Sequence, residues 1–157
     1  MNKPPPNPFE LAYTYLSRRE RTVIEMRQHL LDREVRGAAV EAVIEELTDQ
    51  GYLDDARYAR VFAEDKREFE QWGSERIMRA LLARGLDRDL VAETLAAHEG
   101  DDQDGELGRA LALLRRRFPA PPRDRRERTR ALGVLVRKGY DPELALDALS
   151  GYTRQYR

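Results

Sequence analysis

The chain has 157 residues, 36% of them charged and 41% hydrophobic, with a mean hydropathy of -0.75. That length suits one ordinary domain or a few small helical modules, and excludes two large domains. Cysteine is absent, which excludes disulfides and thiolate chemistry, and no apolar run approaches bilayer-spanning length. The start, Met1 to Pro8, lacks the apolar core of a signal peptide, so a soluble, cytoplasmic protein without a membrane partner is expected. The net charge of -1 conceals segregation: Arg115 to Lys138 holds ten basic residues against Asp124 and Glu127, whereas Gly85 to Glu106 holds eight acidic residues against Arg88. Such blocks give strong local fields of opposite sign.

In chain order, residues 1–8 read as a disordered, proline-rich start. Asn7 then caps, and Pro8 opens, a helix running from Phe9 to about Leu16. Thr22 and Glu25 form a capping box ahead of a second helix that buries Val23, Met26 and Leu30. A third carries Ala39, Val40, Val43, Ile44 and Leu47 and ends at Gly51. Asp54 caps a long fourth helix bearing Tyr58, Val61, Phe62 and Phe69 as core and bundle-joining residues, with Asp65 on its apolar side. Gly73-Ser74 breaks that helix and caps the next, whose stripe is Ile77, Met78, Leu81 and Leu82. Gly85 stops it, and Asp87 caps a sixth with Leu90, Val91, Thr94 and Leu95 inward. The stretch 100–105 reads as an acidic linker. A seventh helix from Glu106 places Leu107, Leu111, Leu114 and Phe118 on one face until Pro119 to Pro122 forbid continuation. A basic helix from about Arg123 to Lys138 ends at Gly139, and Asp141-Pro142 start the last, with Leu144, Ala145, Ala148 and Leu149 inward.

These elements repeat. Ser74 to Val91 and Arg128 to Ala145 are copies of one unit, and Glu25 to Val40 is a more diverged copy, with Met26, Leu30 and Leu31 in the places of Ile77, Leu81 and Leu82. No segment alternates with period two. The expected fold is all-α, with three tandem three-helix-bundle repeats over 9–53, 54–99 and 106–151 and a tail at 152–157. A stack of this kind works through an extended surface and not a pocket.

Four segments in order give the chain a family likeness: Ser17-Arg18-Arg19-Glu20-Arg21-Thr22-Val23-Ile24-Glu25-Met26, Gln50-Gly51-Tyr52-Leu53-Asp54-Asp55-Ala56-Arg57-Tyr58-Ala59, Trp72-Gly73-Ser74-Glu75-Arg76-Ile77 and Arg137-Lys138-Gly139-Tyr140-Asp141. With the threefold repeat, they resemble the RecX family of recombination regulators over nearly the whole chain. The resemblance implies an elongated, curved molecule, expected as a monomer, that binds the RecA recombinase filament on DNA and restrains it. It also implies roles in DNA repair, recombination and the SOS response. The acidic loop and the Pro119 to Pro122 connector depart from that pattern and bear on the angle between the second and third units.

The third helix of each unit, over Val40 to Asp49, Arg88 to His98 and Pro142 to Ser150, is acidic, so phosphate would repel it and major-groove readout there is not expected. The second helices differ. With Leu132 as the core direction at 100° per residue, Arg123, Arg126, Arg130 and Arg137 fall on the opposite side. Arg76 and Arg79 take a comparable edge in unit two, where unit one offers Glu25 and Gln28. Arg116 points away from the Leu107 face and is a candidate for phosphate, while Arg117 suits the helix C-terminal dipole. Single- and double-stranded DNA are the candidate ligands of these arginines. A stripe of this kind also fits a plain solvated face, and both readings stay open here.

His29 and His98 are the only imidazoles, Ser17, Ser74 and Ser150 sit at helix ends, and no Gly-x-x-x-x-Gly-Lys loop occurs. Neither a nucleophile with its base nor a metal or cofactor site is therefore expected. A non-enzymatic filament regulator is the leading expectation, with a helical DNA-binding transcriptional regulator and a generic helical adaptor as the alternatives.

Overall fold

The computed structural model describes residues 4–99 and 105–156, the side chains of 98 and 99 aside. These residues form α1 (Pro8–Leu16), α2 (Val23–Asp32), α3 (Gly37–Asp49), α4 (Asp55–Phe69), α5 (Ser74–Ala83), α6 (Arg88–Glu99), α7 (Gly105–Arg117), α8 (Arg125–Lys138) and α9 (Pro142–Arg154), and no strand. Local chemistry sets most of the ends. Asn7 accepts from the Phe9 N–H with Pro8 at the first position, and Thr22 and Glu25 complete a reciprocal capping box. Asp54, Asp87, Asp124 and Asp141 each accept from the first turn of the following helix. Gly139 ends α8 at φ 100°, a left-handed cap that suits a residue without Cβ.

The helices close around three separate cores. Ala12, Met26, Leu30, Val40, Val43, Ile44, Leu47 and Leu53 form the first. Ala59, Ala63, Ile77, Leu81, Leu86, Val91 and Leu95 form the second. The third, from α7 to α9, is centred on Leu114, Leu135, Tyr140, Leu149 and Tyr152. Three thin cores in place of one leave much surface in water. The chain exposes 10551 Å², against roughly 8,100 Å² for a compact protein of this mass, as an extended helical array requires.

Several expected core positions are solvent-facing. Val61, Phe69 and Asp65 share an outward stripe of α4, with Phe69 71% exposed, because Ala59, Ala63 and Arg67 turn inward instead. Met78 and Leu107 are exposed too, and α7 buries Ala110, Leu113 and Leu114. In α4 the small Ala59 and Ala63 face the core, and in α7 Ala110 does so beside Leu113 and Leu114, so the hydrophobic stripe read from large side chains alone is rotated there. The last helix runs on to Arg154, past the expected boundary at 151, because Tyr152 is fully buried and donates its hydroxyl to the Phe118 carbonyl. The acidic linker lies outside the described residues apart from Gly105, which opens α7.

The Gly73-Ser74 break has a different origin from the expected one. The fourth helix ends at Phe69, and the chain reverses through Gln71 at φ 54°. Gly73 is the N-cap of α5 with an ordinary φ of -81° and has no side chain to cap it; the Glu106 carboxylate of α7 accepts the Ser74 N–H instead. What demands glycine is proximity: a Cβ on Gly73 would lie 2.4 Å from the Gly139 carbonyl carbon and 2.5 Å from the Tyr140 nitrogen. A Cβ on Gly139 would meet the Arg76 Cβ at 2.3 Å. Through this contact the free N–H groups at the start of α5 meet the free carbonyls at the end of α8. The Gly73 N–H donates to the Lys138 carbonyl at 2.8 Å and the Glu75 N–H to that of Gly139 at 3.1 Å. Two helix ends thereby satisfy each other, with their dipoles aligned. Lys138 Nζ donates to the Glu70 carbonyl at 2.9 Å and the Tyr140 hydroxyl to that of Gln71 at 3.1 Å. Burial pushes the Tyr140 phenol up to about 12, so it stays a donor at neutral pH.

Between units one and two the joint is lighter. Asp55 accepts the Val23 N–H at 3.0 Å, Arg57 pairs with Glu20 at 2.8 Å, and Ile24 fills the space beside Gly85. Burial is the largest influence on the Asp55 carboxyl and raises it above its ordinary range. A raised carboxyl makes its stabilising contribution at low pH and loses it as pH rises through the folded value, so the ionised form is the costly one at neutrality. Asp55→Asn, which keeps the acceptor without the charge, is therefore expected to leave stability at pH 7 unchanged or raised in thermal melts. Asp55→Ala should cost about 1 kcal/mol by leaving the N–H unmet.

Candidate nucleic-acid interface

The basic residues of α8 are positioned by its inward face, which is Ala131, Val134 and Leu135. Leu132, taken as the core direction, is only half-buried, at the side. Even so, Arg126, Arg130 and Arg137 remain together on one exposed flank, at the i, i+4 and i+11 positions, and none has a carboxylate partner among the described residues. Over eleven residues the flank extends about 16 Å, the axial rise of about five nucleotides of one strand. Arg123 does not belong to it. It precedes the N-cap Asp124, and Glu127 holds both its backbone N–H, at 2.8 Å, and its guanidinium, at 3.6 Å.

At its C-terminal end the flank meets unit two. Arg76 of α5, Arg117 at the end of α7, and Val134, Arg137 and Lys138 of α8 line a small concavity of about 160 Å³. The Arg76 guanidinium lies 4.1 Å above the Trp72 ring and donates to the Arg137 carbonyl at 3.3 Å. Lys66 approaches the same ring at 4.7 Å, so the indole carries two cations. Glu70 is the carboxylate beside this cluster. Its hydrogen bond from Lys66, at 2.5 Å, is the main reason it sits below the usual carboxylate range.

Of the remaining expected residues, Arg79 is exposed and bonds its own helix at the Glu75 carbonyl. Arg116 is engaged within the protein, donating to the Gln71 side chain at 2.9 Å across the joint. Sequence reading assigned Arg117 to the helix dipole and passed over Lys138. The joint places both beside Arg76 and Arg137, and only the long-range approach of Gly73 to Gly139 brings these residues together. In unit one, by comparison, Arg19 and Arg27 are paired with Glu25 and Glu41, and Glu20 engages Arg57 of unit two.

No group of three metal-ligating side chains occurs among the described residues. His29 is stacked on Tyr15 at 3.7 Å, and burial, more than the nearby arginines, keeps its imidazole below the ordinary range. No helix among the described residues is long and apolar enough to cross a membrane.

The chain as a whole is similar to known proteins. A family model described as the first three-helix domain of RecX matches residues 9–47, and one described as the second three-helix domain matches residues 54–95. A regulatory protein RecX from Leptothrix cholodnii is 34% identical over 138 residues, spanning 88% of this chain and 84% of the relative. One from Xanthomonas citri is 34% identical over 135 residues, spanning 85% and 80%. Among solved structures, RecX from Lactobacillus salivarius superposes with a TM-score of 0.81 at 18% identity, covering 94% of this chain and 95% of that one. A second crystal structure, of a regulatory protein RecX, gives 0.70 at 20% identity, covering 87% and 67%. The structural likenesses span all three helix triplets and establish the fold.

Proposed function

The chain belongs to the RecX family of regulatory proteins, and from that premise we propose that it is a non-enzymatic regulator that binds the RecA recombinase filament on DNA and lowers its recombinase and ATPase activities. The observation that carries this reading is the Arg126, Arg130 and Arg137 flank, which meets Arg76 at its C-terminal end and has no carboxylate partner among the described residues. Unbalanced cations on an extended surface fit a polyanion that is itself extended. A rigid array touching several sites at once adds weak contacts through effective concentration. It shifts a filament between states only if it binds one state better, which is how it would block extension or speed disassembly.

A sequence-reading transcriptional regulator is the weaker reading. The third helices, α3, α6 and α9, carry Glu41, Glu45, Glu46, Asp89, Glu93, Glu143 and Asp147, which phosphate repels. The two readings separate in solution. The filament regulator is expected to slow RecA-catalysed ATP hydrolysis on single-stranded DNA at concentrations below those that shift a bare short duplex. Sequence-selective duplex binding without any effect on the recombinase would instead identify a transcriptional regulator, and neither effect would identify an adaptor.

A further inference from the structure

We propose that the concavity where α5, the end of α7 and α8 meet binds a single phosphate group of a nucleic-acid strand, held by Arg76, Arg117, Arg137 and Lys138. The proposal rests on the functional reading above and makes it specific to one site.

The lining supplies four cations around Val134 and no carboxylate. Its volume of about 160 Å³, open to solvent on one side, leaves room for a phosphate group. The donors are aimed before any ligand arrives. Arg76 is fixed by the Trp72 face and the Arg137 carbonyl, and Lys138 by the Glu70 carbonyl. Because those hydrogen-bond partners are neutral, each guanidinium or ammonium keeps further N–H groups to donate, although Arg76 and Lys138 both lie in the field of the Glu70 carboxylate. The nearby Glu70 carboxylate is engaged by Lys66. The joint itself is held by backbone hydrogen bonds between units two and three, so cations from both units keep a fixed spacing, which lowers the entropy cost of binding.

An independent sign lies at Gly133. A glycine inside a helix is unfavourable relative to alanine, yet Gly133 sits in the middle of α8. A Cβ there would lie 2.9 Å from the Arg137 guanidinium. The contact is with the movable end of an exposed side chain, so a methyl group there would displace the guanidinium from its place in the concavity without disturbing the helix. A strand, in contrast to a free anion, fits because Arg130 and Arg126 continue from the site along α8 and would meet successive phosphates.

Trp72, the only tryptophan, stacks on Arg76 and serves as the reporter. The full-length protein is titrated with a 20-nucleotide single strand, and separately with inorganic phosphate at the same phosphate concentration, reading Trp72 emission. The strand is expected to shift the emission saturably and inorganic phosphate not to. Arg117→Gln with Lys138→Gln should weaken the strand by roughly tenfold and flatten the salt slope by about 0.7, the value of one engaged phosphate. Gly133→Ala should raise Tm by about 2–4 °C while weakening the strand, an opposition that a purely structural role would not produce. Unchanged affinity and salt slope in the folded double variant would overturn the site, and equal saturation by inorganic phosphate would overturn the strand as its ligand. If Arg126→Glu with Arg130→Glu abolishes binding while the site variants do not, the functional reading stands and this site alone falls.

Discussion

Gly73→Ala is expected to destabilise the protein by about 3 kcal/mol, an overpacking cost at the upper end of the usual range, and to lower Tm by about 6–12 °C. The backbone conformation at Gly73 is open to any residue, so the loss isolates the steric clash. The atoms nearest the new Cβ, the Gly139 carbonyl and the Tyr140 nitrogen, are main chain and cannot rotate away. The joint must open, and with it would break the hydrogen bonds from the Gly73 N–H to Lys138 and from the Glu75 N–H to Gly139. Gly37→Ala is the matched control, since nothing lies within 4 Å of its would-be Cβ, and it should leave Tm unchanged or raised. Thermal melts by circular dichroism check both. A Gly73→Ala protein that melts with the wild type would mean that units two and three are not held at this joint.

Reversing Arg126 and Arg130 to Glu is expected to have the largest functional effect. Neither side chain has a carboxylate partner among the described residues, and Ala131, Val134 and Leu135 hold the helix from its other side. Arg126 also lies in the first turn of α8, where a carboxylate suits the helix dipole, so the fold should be retained. Binding to single-stranded DNA or to the recombinase filament should fall at least about tenfold, and the salt slope should flatten by about 0.7 to 0.9 for each phosphate the variant no longer engages. Reversing Arg18 and Arg19 should matter much less, because Arg19 is already engaged by Glu25 at 3.2 Å. Equal effects from the two pairs, read by anisotropy across a salt series, would mean that general charge and not the α8 flank governs binding.

Local events were legible in the sequence. Asn7-Pro8, Thr22 with Glu25, and Gly139 before Asp141-Pro142 each announce a helix end through the backbone groups they satisfy, and the structure uses all of them. Faces were harder to read where alanine carries the core. In α4 and α8 the buried Ala59, Ala63 and Ala131 turn inward while Val61, Phe69 and Val136 face water, so weighting large residues rotates the predicted stripe. The cluster of Arg117 and Lys138 with Arg76 was beyond local reading, since it depends on two glycines 66 positions apart in the sequence coming together. One available signal was Gly133, a helix-interior glycine without a turn to explain it. The Arg116 contact was beyond local reading for the same reason, because its hydrogen-bond partner, Gln71, belongs to the preceding unit.

The proposed function is tested most directly by RecA-catalysed ATP hydrolysis on single-stranded DNA, followed as the purified wild-type protein and the Arg126→Glu, Arg130→Glu variant are titrated in parallel. The wild type is expected to suppress hydrolysis with a saturating dependence and to shorten the filaments, and the folded variant to need at least about tenfold more protein for the same effect. Equal suppression by both proteins would place the working surface away from the basic flank of α8, and no suppression by the wild type would contradict the proposed function itself.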